Sequence, residues 1–170
     1  MRRTLFVAAF VSALLVTNIP IIRACGDKVL RIGRGVRFQR TSHPAAVLIY
    51  IPSNAERATQ LQSMLEKVGH TSYKAPDVDS LRSALMSRRY DVVFTDLAEA
   101  ARLEQQIETL PSKPVVVPVV SKETKAEISV AKKQFKCLVT HPHSGDYYLD
   151  AIDEAFRSKV HLLPNKAQKT

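Results

Sequence analysis

Short apolar runs alternate along the chain with longer segments in which apolar residues recur every three or four positions. A short continuous apolar run is typical of a strand covered on both faces, and the longer period is typical of an amphipathic helix. The runs predict five strands, at residues 45–51, 71–75, 90–96, 114–120 and 136–140. Strict alternation with five helices predicts a five-stranded parallel, doubly wound α/β sheet.

Residues at the ends of the periodic segments predict where the helices begin and stop. Asn54 precedes the first helix and Gly69 follows it, in the places preferred by an N-cap and a helix stop. Asp77 or Asp79 begins the second helix by the same criterion. The fourth helix is predicted over residues 122–133.

The N-terminal segment, residues 1–24, has the anatomy of an export signal. Arg2 and Arg3 precede an uncharged apolar run from Leu5 to Val16, which is too short to span a bilayer. We therefore expect a signal peptide and an exported protein. An uncleaved membrane anchor is the alternative, because the run can be extended through Ile22 to near spanning length.

Cys25 follows Ile22, Arg23 and Ala24 in a sequence that resembles a bacterial lipobox. The resemblance implies lipidation of Cys25 and a periplasmic or membrane-anchored lipoprotein. Ordinary signal-peptidase cleavage after Ala24 is the alternative. Cys137 lies in an apolar run, where a free buried thiol is expected.

Two further segments flank the predicted domain, which covers residues 45–160. Residues 25–44 alternate basic and apolar residues around Gly33 and Gly35, which predicts a basic tether or an added edge strand. These glycines do not follow a buried strand and open a helix, as a phosphate-binding loop would. Residues 161–170 are expected to be a flexible tail.

The charge balance argues against a nucleic-acid partner. The formal net charge is +9, and three of the positive residues (Arg2, Arg3 and Arg23) lie in the predicted signal, which leaves about +6. The remaining Lys and Arg residues are scattered among the acidic ones, as on a solvated surface. The basic fourth helix lacks the interleaved aromatic residues of a nucleic-acid interface.

Catalytic motifs are absent from the sequence. No P-loop, nucleophile elbow, Ser-His-Asp arrangement or Gly-rich dinucleotide fingerprint occurs between a strand and a helix. His141 and His143 flank Pro142, but no Cys lies near enough to complete a metal-ligand set. We therefore expect a protein that is not an enzyme and holds no metal.

The residues at the strand ends resemble those of the receiver domain of bacterial response regulators. Asp96 ends the third strand, where the family carries its phosphoacceptor, and Ser121 ends the fourth, where the family has Ser or Thr. His141-Pro142 follows the fifth strand, where the family has Lys-Pro. The resemblance covers residues 45–160 and implies a flavodoxin-like, three-layer α/β/α fold with a cis bond at Pro142.

Two positions depart from the family pattern. The family places an acidic pair after the first strand, because these carboxylates hold Mg²⁺. This chain has Pro52, Ser53 and Asn54 there, so we expect neither Mg²⁺ nor another cofactor. His141 in place of Lys is a shorter cation that titrates near neutrality. The phosphorylation site is therefore expected to be degenerate.

Asp96 and Ser121 also have a structural interpretation, because each precedes a predicted helix and suits its N-cap. The leading hypothesis is an exported, non-catalytic receiver-like module that binds an unidentified protein, partly through the fourth helix. One alternative is a functional receiver that accepts phosphate on Asp96 in a phosphorelay. Another is a small-ligand site at the strand ends that uses Asp96 and His141.

Overall fold

A computed structural model of the chain describes residues 43–121 and 123–162, with the backbone alone for residues 159–162. The strands are β1 (Ala46–Tyr50), β2 (Thr71–Lys74), β3 (Val92–Asp96) and β4 (Val115–Val119). The helices are α1 (Ala55–Lys67), α2 (Val78–Ser87), α3 (Leu97–Glu108), α4 (Lys125–Gln134) and α5 (Gly145–Leu162). No helix within this part of the chain is long and apolar enough to cross a membrane.

Several predictions from the sequence fall on other residues. The predicted signal or anchor at 1–24, the lipidation of Cys25 and the segment 25–42 lie outside the described residues. So does the predicted tail from residue 163 onward, whereas α5 continues to Leu162. These expectations remain predictions.

The four strands form one parallel sheet in the order β2-β1-β3-β4. Alternate residues of β1 face opposite sides of the sheet: Val47 and Ile49 pack with α1 and α5, and Leu48 and Tyr50 pack with α2, α3 and α4. Successive side chains of a strand point to opposite faces, so two apolar layers form. The predicted three-layer α/β/α fold is confirmed.

The fifth predicted strand, at residues 136–140, is reduced to a single parallel bridge between Val119 and Val139. The Val139 N–H donates to the Pro118 carbonyl at 2.9 Å, and the Val120 N–H donates to the Val139 carbonyl at 2.8 Å. The preceding bond of a parallel ladder would be donated by the N–H of residue 118 to the segment 136–140, and proline has no N–H. Within residues 43–121 and 123–162 the sheet therefore has four strands and one bridge, and the fifth predicted strand is present only as that bridge.

Helix N-termini agree with the sequence at α1 and α2. The Asn54 side chain accepts a hydrogen bond from the Arg57 N–H at 2.9 Å, and Asp77 accepts one from the Ser80 N–H at 2.7 Å. Gly69 has a φ of 96°, a left-handed conformation that glycine adopts without steric cost. These caps fix the loops that lead out of β1 and into β2.

The start of α4 differs from the prediction. Its N-cap is Thr124, three residues after Ser121, and the Thr124 hydroxyl accepts from the Glu127 N–H at 3.3 Å. The Glu127 carboxylate in turn accepts from the Thr124 N–H at 2.7 Å, which completes a capping box. The expectation that Ser121 caps this helix is wrong, because the reciprocal pair of Thr124 and Glu127 satisfies both donors.

Candidate functional site

A pocket of about 520 Å³ lies at the carboxyl end of the sheet, where β1, β3 and β4 end beside one another. In a parallel sheet the loops after the strands meet at this end, so residues distant in sequence become neighbours. The polar residues that line the pocket come from all three of these loops, from the first turn of α1 and from the loop before α5; they include Ser53, Asn54, Arg57, Asp96, Ser121 and His143.

Asp96 is the last residue of β3, and 9% of its surface is exposed. Its Oδ2 accepts a hydrogen bond from the Ser53 N–H at 2.9 Å, and its Oδ1 accepts one from the Ser53 hydroxyl at 2.7 Å. Asp96 occupies the N-cap position of α3, but its side chain makes no capping hydrogen bond. The capping interpretation is therefore right in position and wrong in the role of the carboxylate.

Ser121 follows β4 and faces the same pocket. Its hydroxyl accepts a hydrogen bond from Nη1 of Arg57, and its backbone N–H donates to the Glu123 carboxylate. Ser121 therefore connects the β4 end to α1 instead of capping α4.

The sequence analysis missed Arg57, which lies in the first turn of α1. A cation in the first turn of a helix is disfavoured by the helix dipole, so its presence there was the available signal. Arg57 and Asp96 both lie close enough to Tyr148 to influence its pKa. Burial raises the pKa of Tyr148 to about 12, while the charge of Arg57 lowers this pKa and that of Asp96 raises it.

His141 does not line the pocket. Its ring is exposed and stacks on Tyr147 with a centroid distance of 4.7 Å, and its Nδ1 lies 2.9 Å from the Thr140 hydroxyl. His143, two residues later, lines the pocket instead. The loop that follows residues 136–140 thus reaches the pocket through His143, and the role predicted for His141 stays a prediction.

Pro142 lies beside the pocket, in a neighbouring cleft that Arg57 and Tyr148 also line. Its carbonyl accepts a hydrogen bond from the Tyr148 hydroxyl at 3.3 Å. The bond that precedes Pro142 is trans, since residues 43–121 and 123–162 contain no cis peptide, so the expectation of a cis bond is wrong.

The residues after β1 do not fit a Mg²⁺ ion of the kind that the fold family binds. Mg²⁺ requires carboxylate oxygens in a near-octahedral arrangement, and this loop offers the Ser53 hydroxyl, which already donates to Asp96. Within the described part of the chain, no three His, Cys, Asp or Glu side chains are grouped so that they could hold a metal ion.

The pocket still contains charge of both signs. Glu99 and Glu123 line it together with Asp96, and Arg57 is the cation among its lining residues. Chemically, the site offers a carboxylate held by Ser53, a guanidinium held against Ser121, and the imidazole of His143.

The fold is similar to solved structures of response regulators. One is NtrX from Brucella abortus in complex with ADP, at 23% identity and a TM-score of 0.57, matched over 70% of this chain and 28% of that one. Another is a response regulator protein from Burkholderia pseudomallei with a phosphorylated aspartic acid, calcium and citrate, at 14% identity and a TM-score of 0.52. That match covers 71% of this chain and 75% of the other.

A third similar structure is the signal receiver domain of an HD domain-containing protein from Pseudomonas fluorescens. It has 18% identity and a TM-score of 0.55, and the match covers 70% of this chain and 99% of that domain. No protein-family model and no curated protein sequence matches the chain. The matched part of this chain thus corresponds to a whole receiver domain but to little more than a quarter of NtrX, and it has the fold of a response-regulator receiver domain.

Proposed function

We propose that this chain is a non-catalytic receiver-like module with a degenerate phosphorylation site, and that it acts by binding another protein. The observation that carries the proposal is the double hydrogen bond from Ser53 to Asp96. Ser53 lies in the loop where the resemblance implies the metal-binding acidic pair. The residue that stands in this loop therefore holds the acceptor carboxylate instead of a metal ion.

Phosphoryl transfer to Asp96 would require one of its carboxylate oxygens to attack phosphorus, while a cation neutralises the charge on the oxygens of the phosphoryl group. Both carboxylate oxygens of Asp96 already accept hydrogen bonds, which withdraw electron density from the attacking atom. Ser53 and Asn54 carry no charge, so they add nothing to the attraction for a strongly hydrated Mg²⁺. These two facts support loss of phosphotransfer with retention of the fold.

The test is incubation of the full chain with acetyl phosphate and Mg²⁺, followed by intact-mass measurement. A receiver that keeps the acidic pair serves as positive control, and Asp96→Asn identifies any adduct that is not on Asp96. We expect no phosphoryl adduct on this chain under conditions that label the positive control. An adduct present in the wild type and absent from Asp96→Asn would establish the functional-receiver alternative.

A protein partner is proposed to contact α4. Ala131 is the only residue that is buried in this helix, while Val130 is 63% exposed, with Glu127 and Lys133 three positions away on either side and on the same face of the helix. An exposed apolar residue flanked by charged side chains is suited to the apolar centre of a protein interface with a polar rim.

This contact can be tested by cross-linking through lysine in the native host. We expect links from Lys132 or Lys133 to one protein, lost in Val130→Asp and kept in Met86→Asp. Met86 is a matched control because it is also exposed, at 77%, and lies on α2. Links that persist in Val130→Asp would exclude α4 as the contact surface.

Export is part of the proposal and rests on the N-terminal sequence. Intact mass of the protein from membrane and soluble fractions of its host reports the mature N-terminus and any lipid together. A chain that begins at Cys25 with a diacylglyceryl increment is expected for a lipoprotein, and one that begins at Cys25 without it indicates ordinary cleavage. A full-length unmodified chain in the soluble fraction would contradict export.

A small-ligand site is a second candidate, and the pocket volume of about 520 Å³ favours it. In that case the histidine that contacts the ligand is His143, because His141 lies outside the pocket. A ligand whose binding is weakened in His143→Ala and unchanged in His141→Ala would support this function. Equal effects of the two variants would contradict it.

A further inference from the structure

Arg57 and Ser121 are joined by a hydrogen bond although they are separated by 64 positions in the chain. Arg57 belongs to α1, which follows β1, and Ser121 follows β4, at the far side of the sheet from β2. The bond therefore spans the pocket and ties the start of one helix to the loop that leads into another.

The Arg57 side is anchored firmly. The Asn54 side chain accepts from the Arg57 N–H, and the Asn54 carbonyl accepts from the Ala58 N–H at 3.1 Å. Ala58 and Leu61 then bury the inner face of α1 in the core. A capped helix end with a buried face is a rigid base for the guanidinium.

The Ser121 side of the bond begins at the end of β4 and continues into the loop that leads to α4. Val120 donates its N–H to the Val139 carbonyl at 2.8 Å, so the chain is held up to that residue. Ser121 then has its N–H bonded to Glu123 and its hydroxyl bonded to Arg57. The next anchor is the capping box at Thr124, so Arg57 is the contact from α1 that holds the connection between β4 and α4.

The charge of the Arg57 guanidinium strengthens its hydrogen bond to Ser121. A guanidinium is a charged donor, and hydrogen bonds from a charged donor are stronger than neutral ones. The bond needs neither a metal ion nor a phosphoryl donor. Ser121 stands where the resemblance implies a hydroxyl that bonds a phosphoryl oxygen, and here an internal cation holds that hydroxyl.

We propose that Arg57 is a positioning residue that holds Ser121 and the β4–α4 connection in one place without phosphorylation, so that α4 is presented constitutively. The inference rests on the proposed function in one respect, since it explains how a module without phosphotransfer keeps its α4 surface ordered. It is tested separately, because loop order is measured without any phosphoryl donor or partner.

The experiment is hydrogen exchange followed by mass spectrometry on the full chain and two variants, Arg57→Met and Ser121→Ala. Each removes one side of the bond, so we expect the peptide that spans residues 120–125 to exchange about tenfold faster in both. Peptides from β1 and β3 should keep their wild-type rates. Lys67→Met is the matched control, because it also removes a cation from α1, at the end of the helix away from the pocket.

The double variant separates a direct bond from two independent effects. If Arg57 acts through Ser121, combining the two changes should accelerate exchange no more than either change alone. Unchanged exchange at 120–125 in both single variants would overturn the proposal, and so would multiplicative effects in the double variant. If Arg57→Met fails to fold, the comparison of Ser121→Ala with Lys67→Met still decides the question.

The result is distinguishable from failure of the proposed function. An adduct on wild-type Asp96 would remove the proposed function whatever the exchange rates are. Wild-type exchange rates in the Arg57 and Ser121 variants, with no adduct on Asp96, would remove this inference alone.

Discussion

Ser53 donates to both carboxylate oxygens of Asp96, from its N–H to Oδ2 at 2.9 Å and from its hydroxyl to Oδ1 at 2.7 Å. This relationship joins the loop after β1 to the end of β3, two neighbouring strands of the sheet. A single neutral residue thus fixes the carboxylate in position and orientation. Hydrogen bonds to a charged acceptor are among the stronger ones in proteins, so this pair contributes to stability as well as to the shape of the pocket.

Replacing Ser53 with alanine removes the hydroxyl bond and leaves the N–H bond in place. We expect Ser53→Ala to lower the free energy of unfolding by about 1 kcal/mol, which is below the range of about 1.5–3 kcal/mol for bonds to charged groups because Ser53 is exposed. Urea unfolding measures the change. Ser63→Ala, at an exposed position of α1, is the control and should cost nothing. Equal stability of Ser53→Ala and the wild type would show that the hydroxyl bond contributes little.

His70 makes stability depend on pH. It is buried, and its Nδ1 accepts a hydrogen bond from the Ala45 N–H at 3.0 Å, so that nitrogen carries no proton. Burial lowers the pKa of His70 below its ordinary value of 6.5, with a smaller opposite effect from Asp153. Below pH 6.5 the unfolded chain therefore binds a proton that the folded one excludes, and stability falls as pH falls.

Urea unfolding between about pH 7.5 and about pH 5 tests this expectation. The contribution of His70 should be complete above 6.5 and decline as pH decreases toward its lowered pKa. His70→Gln should reduce the slope, and His143→Gln, at an exposed position, should keep it. A steeper slope in His70→Gln would contradict the assignment.

Tyr148 should limit stability at alkaline pH. Burial raises its pKa from 10.0 to about 12, so the unfolded chain loses the phenolic proton first as pH rises. The contribution is complete below pH 10 and is lost as pH rises through about 12. Tyr148→Phe should flatten the alkaline fall in urea stability, whereas Tyr73→Phe, whose ring is 42% exposed, should not. An identical fall in the wild type and Tyr148→Phe would assign it to another group.

The capping box of α4 predicts a local effect. Thr124→Ala removes the side chain that accepts from the Glu127 N–H, which should cost about 1 kcal/mol of helix stability. Hydrogen exchange of amides in the first turns of α4 should accelerate accordingly. Ser129→Ala, at an exposed position within the same helix, is the control and should leave these rates near wild type. Faster exchange in the control alone would show that the cap is not what limits opening.

Much of the fold could be predicted because each strand and helix has a local signal. Apolar runs predicted β1 to β4, and Asn54 and Asp77 predicted the starts of α1 and α2. The start of α4 also has a local signal, since Thr124 and Glu127 have the spacing of a capping box, although Ser121 suits an N-cap as well. The error was a choice between two local signals.

The remaining differences depend on long-range geometry. Pro118 limits the pairing of β4 only because its backbone faces residues 136–140, the fifth predicted strand. This direction follows from the register of β4 with β3. Arg57 reaches Ser121 only because β1, β3 and β4 end side by side. His143 lines the pocket, whereas His141, two residues earlier, stacks on Tyr147 outside it. The position of Arg57 in the first turn of α1 is visible in the sequence, but the contact partners in these relationships are not.

The direction of β1 places its first residue and the pocket at opposite ends of the sheet. The described chain enters β1 at the amino end of the sheet, where the Ala45 N–H donates to His70, and the pocket lies at the carboxyl end, a five-residue strand or about 17 Å away. An attachment through the N-terminus would therefore hold the domain with its pocket facing outward. If the proposed N-terminal anchor exists, tethering and recognition would use opposite ends of the sheet and would not compete for the same surface.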